Sequence, residues 1–424
     1  MSRRALLAGA AAAAAGAAIA ALPLDAQQGT PVRTDRTPVA PPPATTPPAT
    51  SIPIDATKVP GTPTTMLGER ASFVSPVRTP VGVITGPSFT PLQDLKGTIT
   101  PADLHFERHH GGVAHIDPAR YKLMVHGLVD RPVVFSLRDL ERFPAVSRVC
   151  FVECSGNGRN GYRAPKTELT PQLIDGLTSN SEWTGVPLRT LLAEAGVKRS
   201  ASWLLAEGGD AAVLSRSIPM AKAMDDAHVV YAQNGEPIRP ANGYPVRLLL
   251  PGWEANMSIK WLRRLEAIDQ PNMSRDETSK YTDPLPNGTA RQFSFVMDVK
   301  SIITSPAFPQ RLADKGWLPI SGLAWTGRGK VARVDVSTDG GKSWTEAELQ
   351  GPVQSMAHTR FQHMWEWNGA ATTVMSRATD ETGATQPTLA EFRAKRGAGT
   401  DFHFNHIRAW TVQPDGRLLY GVNL

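Results

Sequence analysis

The distribution of apolar residues changes near residues 281–291, and this change most constrains the fold. Beyond it the sequence predicts short strands almost throughout, with alternating apolar and polar positions and turns such as Asp339-Gly340-Gly341. Roughly 130 residues of short strands predict a β-sandwich of the immunoglobulin type. The predicted strands are Arg291–Val299, Leu318–Trp325, Val331–Ser337, Trp344–Leu349, Phe361–Trp367 and Thr373–Thr379. The tryptophans predicted to lie in its core or interface are Trp317, Trp325, Trp344, Trp365 and Trp367.

Residues 91–290 show a mixture of strands and short helices. Ser136 is predicted to cap a short helix, and Pro187 to open another, in which Leu188, Leu191 and Leu192 share one face. Strands are predicted at 121–125, 202–206, 229–232 and 246–250. Because strands and helices do not alternate regularly, this part of the pattern predicts an α+β fold.

Two segments precede the predicted domains. Residues 1–26 are typical of an export signal, because Arg3-Arg4 and Leu6-Leu7 stand before an alanine-rich apolar run. The arginine pair resembles a twin-arginine signal and predicts export to the periplasm in folded form, with a plain secretory signal as the alternative. Residues 27–90, rich in proline, threonine and alanine, predict an extended linker, with folded structure beginning near Pro91.

Composition limits the possible functions. The 424 residues are 41% hydrophobic, enough for substantial cores, and the formal net charge of +6 favours an anionic substrate or an acidic partner. Nucleic-acid binding is not predicted, because the chain has no run of lysine and arginine. With two cysteines and no Cys-x-x-Cys-His segment, the sequence has no haem attachment motif.

Cys154 ends an apolar, strand-like run and begins the segment Cys154-Ser-Gly-Asn-Gly-Arg159. The glycines allow a sharp turn and a close backbone approach to a ligand, and Arg159 is suited to oxyanions. The thiol is therefore a candidate metal ligand or nucleophile, although an ordinary half-buried cysteine is the commoner case.

The other cysteine, Cys150, lies four residues earlier. In a strand the two would be about 13 Å apart, too far for a disulfide.

The segment Cys154-Ser-Gly-Asn157 resembles the molybdenum-ligating loop of the sulfite oxidase family. Further resemblances occur in the same order from about residue 95 to the end. They lie at Phe106–His110, Glu182–Leu188, Tyr231–Gly235, Gly243–Leu248, Ser258–Leu262 and Val336–Trp344. Within the family, His105–His110 and Thr278–Asp283 are most similar to the SoxC-type molybdenum subunits of sulfane dehydrogenases, which belong to the Sox thiosulfate-oxidising system.

The resemblance implies a molybdopterin-binding catalytic domain (91–290) followed by an immunoglobulin-like dimerisation domain (291–424). It implies a molybdenum–molybdopterin cofactor with Cys154 as the protein ligand of the metal. The residues that it places around the open face of the metal are Arg108, Arg159, Trp183 and Tyr231. The residues that it assigns to the phosphate and pterin of the cofactor are Phe106, Arg108, His110, Asp210, Asn242, Arg247, Ser258 and Lys260. Asn242 stands where many relatives have histidine, and His109 departs from an Arg-Asn-His pattern.

The implied function is oxidation of carrier-bound sulfane sulfur by oxygen-atom transfer. Its electrons would pass to a separate c-type cytochrome subunit, in a homodimer or a heterotetramer with a sulfur-carrier protein as substrate. The first alternative is a dehydrogenase of free sulfite. A reductase of oxidised methionine fits less well, because Arg108 and Arg159 favour an anion.

A different hypothesis is that the chain is not an enzyme but a secreted binding protein, which holds a metal with a histidine patch. The clustered histidines are His105, His109, His110 and His115. No glutamate is placed as a base, no cysteine pair is present, and Gly111-Gly112 disfavours a helix, so the pattern argues against a zinc site.

Overall fold

The computed structural model describes Lys58 and residues 63–421. The chain divides into two compact units, residues 1–69 and 70–424. The few described residues of the first unit contain no α-helix or strand. The predicted export signal and most of the predicted linker lie outside the described residues. Among the helices of the described part, none is long and apolar enough to cross a membrane.

The second unit begins with residues 70–299, which we call the amino-terminal half. Its strands are β1 (Thr79–Pro80), β2 (Gly86–Phe89), β3 (Glu107–His109), β4 (Leu123–Gly127), β5 (Val133–Phe135), β6 (Val146–Glu153), β7 (Thr178–Pro187), β8 (Trp203–Gly208), β9 (Ser215–Pro219), β10 (His228–Gln233), β11 (Glu236–Pro237), β12 (Arg247–Leu249), β13 (Leu262–Ile268), β14 (Asp283–Pro284) and β15 (Ala290–Arg291). Its α-helices are α1 (Leu137–Leu140), α2 (Arg159–Arg163), α3 (Pro171–Asp175), α4 (Leu188–Ala195), α5 (Met220–Asp225) and α6 (Arg275–Thr278). Short 3-10 helices span Ala102–Leu104, Pro240–Asn242 and Ala255–Met257.

Three main sheets form in this half. The first has the order β1-β2-β3, the second β11-β10-β7-β6 with β12 also on β10, and the third β5-β4-β13-β8-β9. All of their strand pairs are antiparallel except β4 with β13. A pair of short strands, β14 and β15, stands apart. The mixture of strands and short helices is the predicted α+β arrangement.

The predicted helix signals are confirmed. Ser136 caps α1, with a capping box completed by Asp139. Pro187 occupies the cap position of α4, and the helix buries one face against the third sheet. The residues of that face are Leu188, Leu191, Leu192 and Ala195, each 0% exposed.

The carboxy-terminal half, residues 300–421, is a sandwich of two antiparallel sheets. Its elements are β16 (Lys300–Ser305), β17 (Gly316–Trp325), β18 (Val331–Ser337), β19 (Thr345–Glu346), β20 (Glu348–Gln350), β21 (Thr359–Trp367), β22 (Thr372–Asp380), α7 (Leu389–Arg396), β23 (Ala409–Val412) and β24 (Leu418–Tyr420). The sheets have the orders β16-β17-β21-β20 and β19-β18-β22-β23-β24. Trp325, Trp365 and Trp367 are buried as predicted, whereas Trp317 is 65% exposed.

Two predicted strands need correction, one directly before this half and one within it. The predicted strand Arg291–Val299 is wrong: Phe295 has φ +52° and stacks on Trp253 and Phe293, so side chains here do not alternate between two faces. The predicted strand Trp344–Leu349 is two strands in different sheets, β19 and β20, separated at Ala347. Strands β16, β23 and β24 and helix α7 are additional to the elements predicted from the sequence.

Folded structure also begins earlier than Pro91. Strand β2 pairs with β3, bringing Pro87 opposite Arg108. Pro87 belongs to the segment predicted as a linker. The strand that contains it, β2, therefore supports β3, which carries the predicted site residue Arg108.

One apolar core extends through both halves of the second unit. Leu92, Phe151 and Ile174 from the amino-terminal half belong to the same buried cluster as Trp325 and Phe361 from the sandwich. Burial of large apolar side chains across this boundary is the main stabilising contribution there.

A buried ionic network crosses the same boundary directly behind the Cys154 loop. Lys300 Nζ lies 3.0 Å from Glu153 Oε1 and 2.8 Å from Asp175 Oδ1, and all three residues are at most 2% exposed. Arg408 pairs with Asp175 at 3.0 Å, and Trp325 donates to Glu153 at 2.6 Å. The loop is thus anchored on charged groups that the sandwich supplies.

Candidate active site

Two adjoining cavities meet at Cys154. We call the first the lysine cavity, because Lys260 lines it, and the second the arginine cavity, because Arg159 lines it. Cys154, Arg108, His110 and Tyr281 line both. Nine predicted site residues line the lysine cavity: Phe106, Arg108, His110, Cys154, Asp210, Asn242, Arg247, Ser258 and Lys260.

The Cys154 loop is held by main-chain hydrogen bonds. Cys154 N donates to Leu177 O at 2.9 Å, and Asn157 N donates to Cys154 O at 2.9 Å. The Asn157 side chain accepts from Leu177 N and donates to Glu153 Oε1, both at 2.9 Å. These bonds fix the thiol at the end of β6, where it is half-buried. Burial raises the pKa of the Cys154 thiol, while Arg108 and Arg159 oppose that rise.

Gly158 is required by its surroundings. Its φ is +95°, and a Cβ there would lie 2.8 Å from Phe404 Cβ and would also contact the Arg408 guanidinium. Only glycine fits this close approach between the loop and the sandwich.

Two of the cations that line the lysine cavity are the half-buried Lys260 and the buried Arg247. Burial lowers the pKa of Lys260 to about 7 and that of Arg247 to about 10. Lys260 Nζ lies 2.8 Å from His109 Nδ1 and donates to Ala241 O at 3.0 Å. The Arg247 guanidinium donates to Asn242 O at 2.9 Å and to Ser258 O at 3.0 Å. Two desolvated cations held in place by carbonyl groups form a site for an anionic group.

Three cations line the arginine cavity, Arg108, Arg159 and Lys280, and no carboxylate residue is among its described lining residues. The cavity has a volume of about 350 Å³. Arg159 begins α2, donates to Asp401 O at 2.7 Å and lies 5.5 Å from the centre of the Phe402 ring. The arrangement suits a substrate with a negatively charged terminus.

Tyr281 is a site residue in addition to those predicted from the sequence. It lines both cavities, its hydroxyl lies 2.8 Å from His110 Nε2, and the Arg216 guanidinium is 5.0 Å from its ring centre. Burial raises its pKa. The sequence signal for Tyr281 is the segment Thr278–Asp283, which contains it and resembles the SoxC-type subunits.

Comparisons with known proteins agree with this geometry. The family model described as "Oxidoreductase molybdopterin binding domain" matches residues 110–275, and "Mo-co oxidoreductase dimerisation domain" matches residues 291–409. The crystal structure of the sulfane dehydrogenase SoxCD from Paracoccus pantotrophus is similar with a TM-score of 0.81 and 43% sequence identity, covering 91% of this chain and 100% of that chain. The chain belongs to the sulfite oxidase family.

Other members of the family are more distant. Sulfite oxidase from Mus musculus is 30% identical over 339 residues, which cover 74% of this chain and 62% of that protein. Nitrate reductase [NADH] from Ulva prolifera is 30% identical over 362 residues, which cover 76% of this chain and 42% of that protein. The chain thus spans roughly two fifths to three fifths of the length of these curated relatives.

The residues present fit the molybdopterin cofactor of this family. A thiolate is a suitable soft metal ligand, and the cations of the lysine cavity are suited to a phosphate. Four buried polar atoms in and beside this cavity have no partner in the described chain: His105 Nε2, Trp183 Nε1, Asn242 Oδ1 and Asn256 Oδ1. Buried polar groups are normally satisfied, so unpaired atoms at a cavity indicate a polar ligand.

Two predicted site residues lie elsewhere. Tyr231 lines neither cavity: it lies inside β10, next to a register shift between Val230 and Ala232, and packs on the core that includes α4. Because successive side chains alternate between faces, Val230 instead faces the cluster with Phe106. The expectation that Tyr231 reaches the metal face is wrong.

Trp183 is also displaced from the predicted position. It is 1% exposed and lies behind the cavity wall, with the Arg247 guanidinium 4.9 Å from its ring centre and His105 against its edge. It supports a cavity residue and does not line the open face.

The clustered histidines do not converge on one point. His105 Nδ1 bonds Phe106 O, His109 Nε2 pairs with Glu107, and His110 bonds Tyr281. Among the described residues, no group of three or more His, Cys, Asp or Glu side chains is arranged to hold a metal ion. The geometry does not support the histidine-patch hypothesis.

Proposed function

We propose that this protein oxidises carrier-bound sulfane sulfur at a molybdenum centre and passes the electrons to a c-type cytochrome subunit. The observation that carries the proposal is the position of Cys154 between a cationic cavity suited to the cofactor and a second cavity lined by three cations. The likeness to the SoxCD structure supports this choice of substrate and acceptor over others in the family.

When bound, the cofactor supplies oxygen-atom transfer coupled to the uptake of two electrons. Each oxygen added to sulfur comes from water, so two protons and two electrons leave per oxygen. Arg108 and Arg159 hold the anionic end of the substrate in a fixed direction towards Cys154. Tyr281 and His110 line both cavities and are joined by a hydrogen bond, and they hold a proton at the phenol oxygen or the imidazole Nε2.

The pKa values at this pair favour neutral groups. Burial lowers the pKa of His110 to about 4, and Arg108 adds to this effect. Burial also raises the pKa of Tyr281. Near neutral pH the phenol therefore stays protonated and the imidazole stays neutral, so the hydrogen bond joins two uncharged groups.

We further propose that the protein works in the periplasm after twin-arginine export, as a homodimer or a heterotetramer. The Arg3-Arg4 segment supports the location, and the match to a dimerisation domain supports self-association. A partner must accept the electrons, since the sequence carries no haem attachment motif.

The test compares two substrates on the cofactor-loaded protein with a c-type cytochrome as acceptor. One substrate is a carrier protein loaded with thiosulfate-derived sulfane sulfur, and the other is free sulfite. We expect rapid cytochrome reduction with the loaded carrier and little with sulfite. Rapid reduction by sulfite alone would make the protein a sulfite dehydrogenase, which is the second candidate.

An Arg159→Met variant tests the cation assignment in the same assay. We expect a KM increase of about tenfold or more with a smaller change in kcat, because one charge-assisted contact with the anion is lost. Arg120→Met, at an exposed arginine outside both cavities, is the matched control. An unchanged KM in Arg159→Met would contradict the assignment.

A further inference from the structure

A segment of the sandwich, residues 398–403, is bound along α2 by its main chain. Tyr162 Oη donates to Ala398 O at 3.0 Å, Arg163 donates to Gly399 O, and Arg159 Nη2 donates to Asp401 O at 2.7 Å. His403 N donates to Ser155 O at 2.7 Å. The backbone of this segment is therefore held in place independently of the side chains at 401 and 402.

The side chain of Asp401 reduces the positive charge near the arginine cavity. Its Oδ1 lies 3.1 Å from Arg163 Nη2 and 3.9 Å from Arg159 Nε. Asp401 is not among the residues lining the cavity, so its carboxylate offsets the charge of Arg159 from behind. Because of this carboxylate, a small free dianion is attracted to Arg159 less strongly than it would be by the guanidinium alone.

The side chain of Phe402 does line the cavity. Its ring centre is 5.4 Å from that of Tyr281 and 5.5 Å from the Arg159 guanidinium. Together with Pro87, these two rings give the cavity an apolar wall beside its cations. Sulfite has no apolar surface to place against such a wall, whereas a cysteine-linked arm has methylene groups.

We propose that Asp401 and Phe402 determine which sulfur anion the arginine cavity accepts. Asp401 weakens the binding of small free dianions, and Phe402 packs against the apolar part of a cysteine-linked substrate arm. The proposal rests on the proposed function, because it explains selection of a carrier-bound substrate over free sulfite.

The first experiment is calorimetric titration of the cofactor-loaded protein with sulfate, which needs no turnover. We expect the Asp401→Asn variant to bind sulfate about threefold more tightly than the unsubstituted protein at low ionic strength. This factor is the size of the contribution that one exposed charge pair makes. The difference should shrink at high salt, because exposed charges are screened. Asp415→Asn, which removes a surface carboxylate paired with Arg417 in the same sandwich, is the matched control and should leave sulfate affinity unchanged.

The second experiment measures turnover of the loaded carrier and of free sulfite by Phe402→Ala and Phe402→Leu. We expect Phe402→Ala to raise KM for the carrier severalfold without raising KM for sulfite, and Phe402→Leu to restore part of the carrier affinity. A purely structural role would shift both substrates together.

The outcomes separate this inference from the proposed function. Equal sulfate affinity in Asp401→Asn and the unsubstituted protein would overturn the role of Asp401. Equal KM changes for both substrates in Phe402→Ala would overturn the role of Phe402. If the unsubstituted protein does not oxidise the loaded carrier, the Phe402 role falls with the proposed function, and sulfate titration alone decides the role of Asp401.

Discussion

At the scale of single residues, the site combines a thiol with cations that are costly to bury. Cys154 is half-buried, and Lys260 and Arg247 have pKa values lowered first by burial. Groups kept in such positions despite the cost of desolvation are typical of functional sites. A bound metal and an anionic cofactor would offset that cost, since each favours the charged form of its neighbour.

Cys154→Ser tests the metal ligand. We expect the purified variant to retain less than about a tenth of the molybdenum of the unsubstituted protein and to lose turnover, because a hydroxyl is a poor replacement for a soft thiolate. Metal analysis and the cytochrome assay measure the two effects. Cys150→Ser, at a buried cysteine in β6 outside both cavities, is the control and should retain molybdenum. Full activity in Cys154→Ser would contradict the assignment.

Lys260→Met tests the lowered pKa of this cation through the pH dependence of stability. The pKa of Lys260 is lowered from 10.5 to about 7, so between these values the unfolded chain binds more protons than the folded one. The free energy of unfolding of the cofactor-free protein should therefore rise with pH from this residue, by up to about 1.4 kcal/mol per pH unit.

The measurement is urea unfolding of both cofactor-free proteins at several pH values between 7 and 9. The stability of the unsubstituted protein minus that of Lys260→Met should increase with pH. A constant difference across this range would show that Lys260 titrates at its ordinary pKa in the folded chain.

At the scale of elements, the site is built from strand ends and the loop between β6 and α2. Strands β6 and β3 bring Cys154 and Arg108 to the cavities, and the glycine loop turns the chain into α2, which carries Arg159. The loop lies directly against the sandwich at Gly158, so its shape depends on residues far away in sequence.

Gly158→Ala tests this close contact. We expect a loss of about 2–4 kcal/mol in the free energy of unfolding, because the positive φ and the crowding by Phe404 and Arg408 both oppose a Cβ. Gly235→Ala is the matched control: its φ is +78° but nothing lies within 4 Å of an added Cβ. That variant should lose only about 1 kcal/mol. If thermal or urea unfolding shows equal losses for the two variants, backbone strain alone accounts for the destabilisation caused by Gly158→Ala.

At the scale of the whole molecule, the sandwich is part of the site and not only a neighbouring domain. It supplies Phe402 to the arginine cavity, and Lys300 and Arg408 to the ionic network behind the Cys154 loop. Because the halves also share one apolar core, we expect them to unfold together.

Lys300→Met tests the network. Removing the cation leaves Glu153 and Asp175 buried without it, and breaking a buried pair in this way costs about 3–5 kcal/mol. Lys342→Met, at an exposed lysine in a turn of the sandwich, is the control and should change the free energy of unfolding by less than about 0.5 kcal/mol. A small effect of Lys300→Met would indicate that the two carboxylates are neutralised without Lys300.

The sequence by itself determined the parts of this protein that depend on neighbouring residues. The strand-glycine loop at Cys154 predicted the position of the thiol, and the resemblance carried by the short motifs implied the nine residues that line one cavity. Strand alternation predicted β18 with its exact bounds, Val331–Ser337. Such features are readable because local backbone geometry and side-chain chemistry are set within a few residues.

Only the tertiary structure decided the parts that join distant segments. Tyr231, next to a register shift in β10, lines neither cavity, whereas Tyr281 lines both and lies beside His110. Arg159 met Asp401, 242 residues later in the chain. Lys300 met Glu153, and no local pattern specifies which buried carboxylate a distant lysine will pair with. Packing of the sandwich on the Cys154 loop fixed these contacts, because long-range neighbours depend on how whole elements fit together.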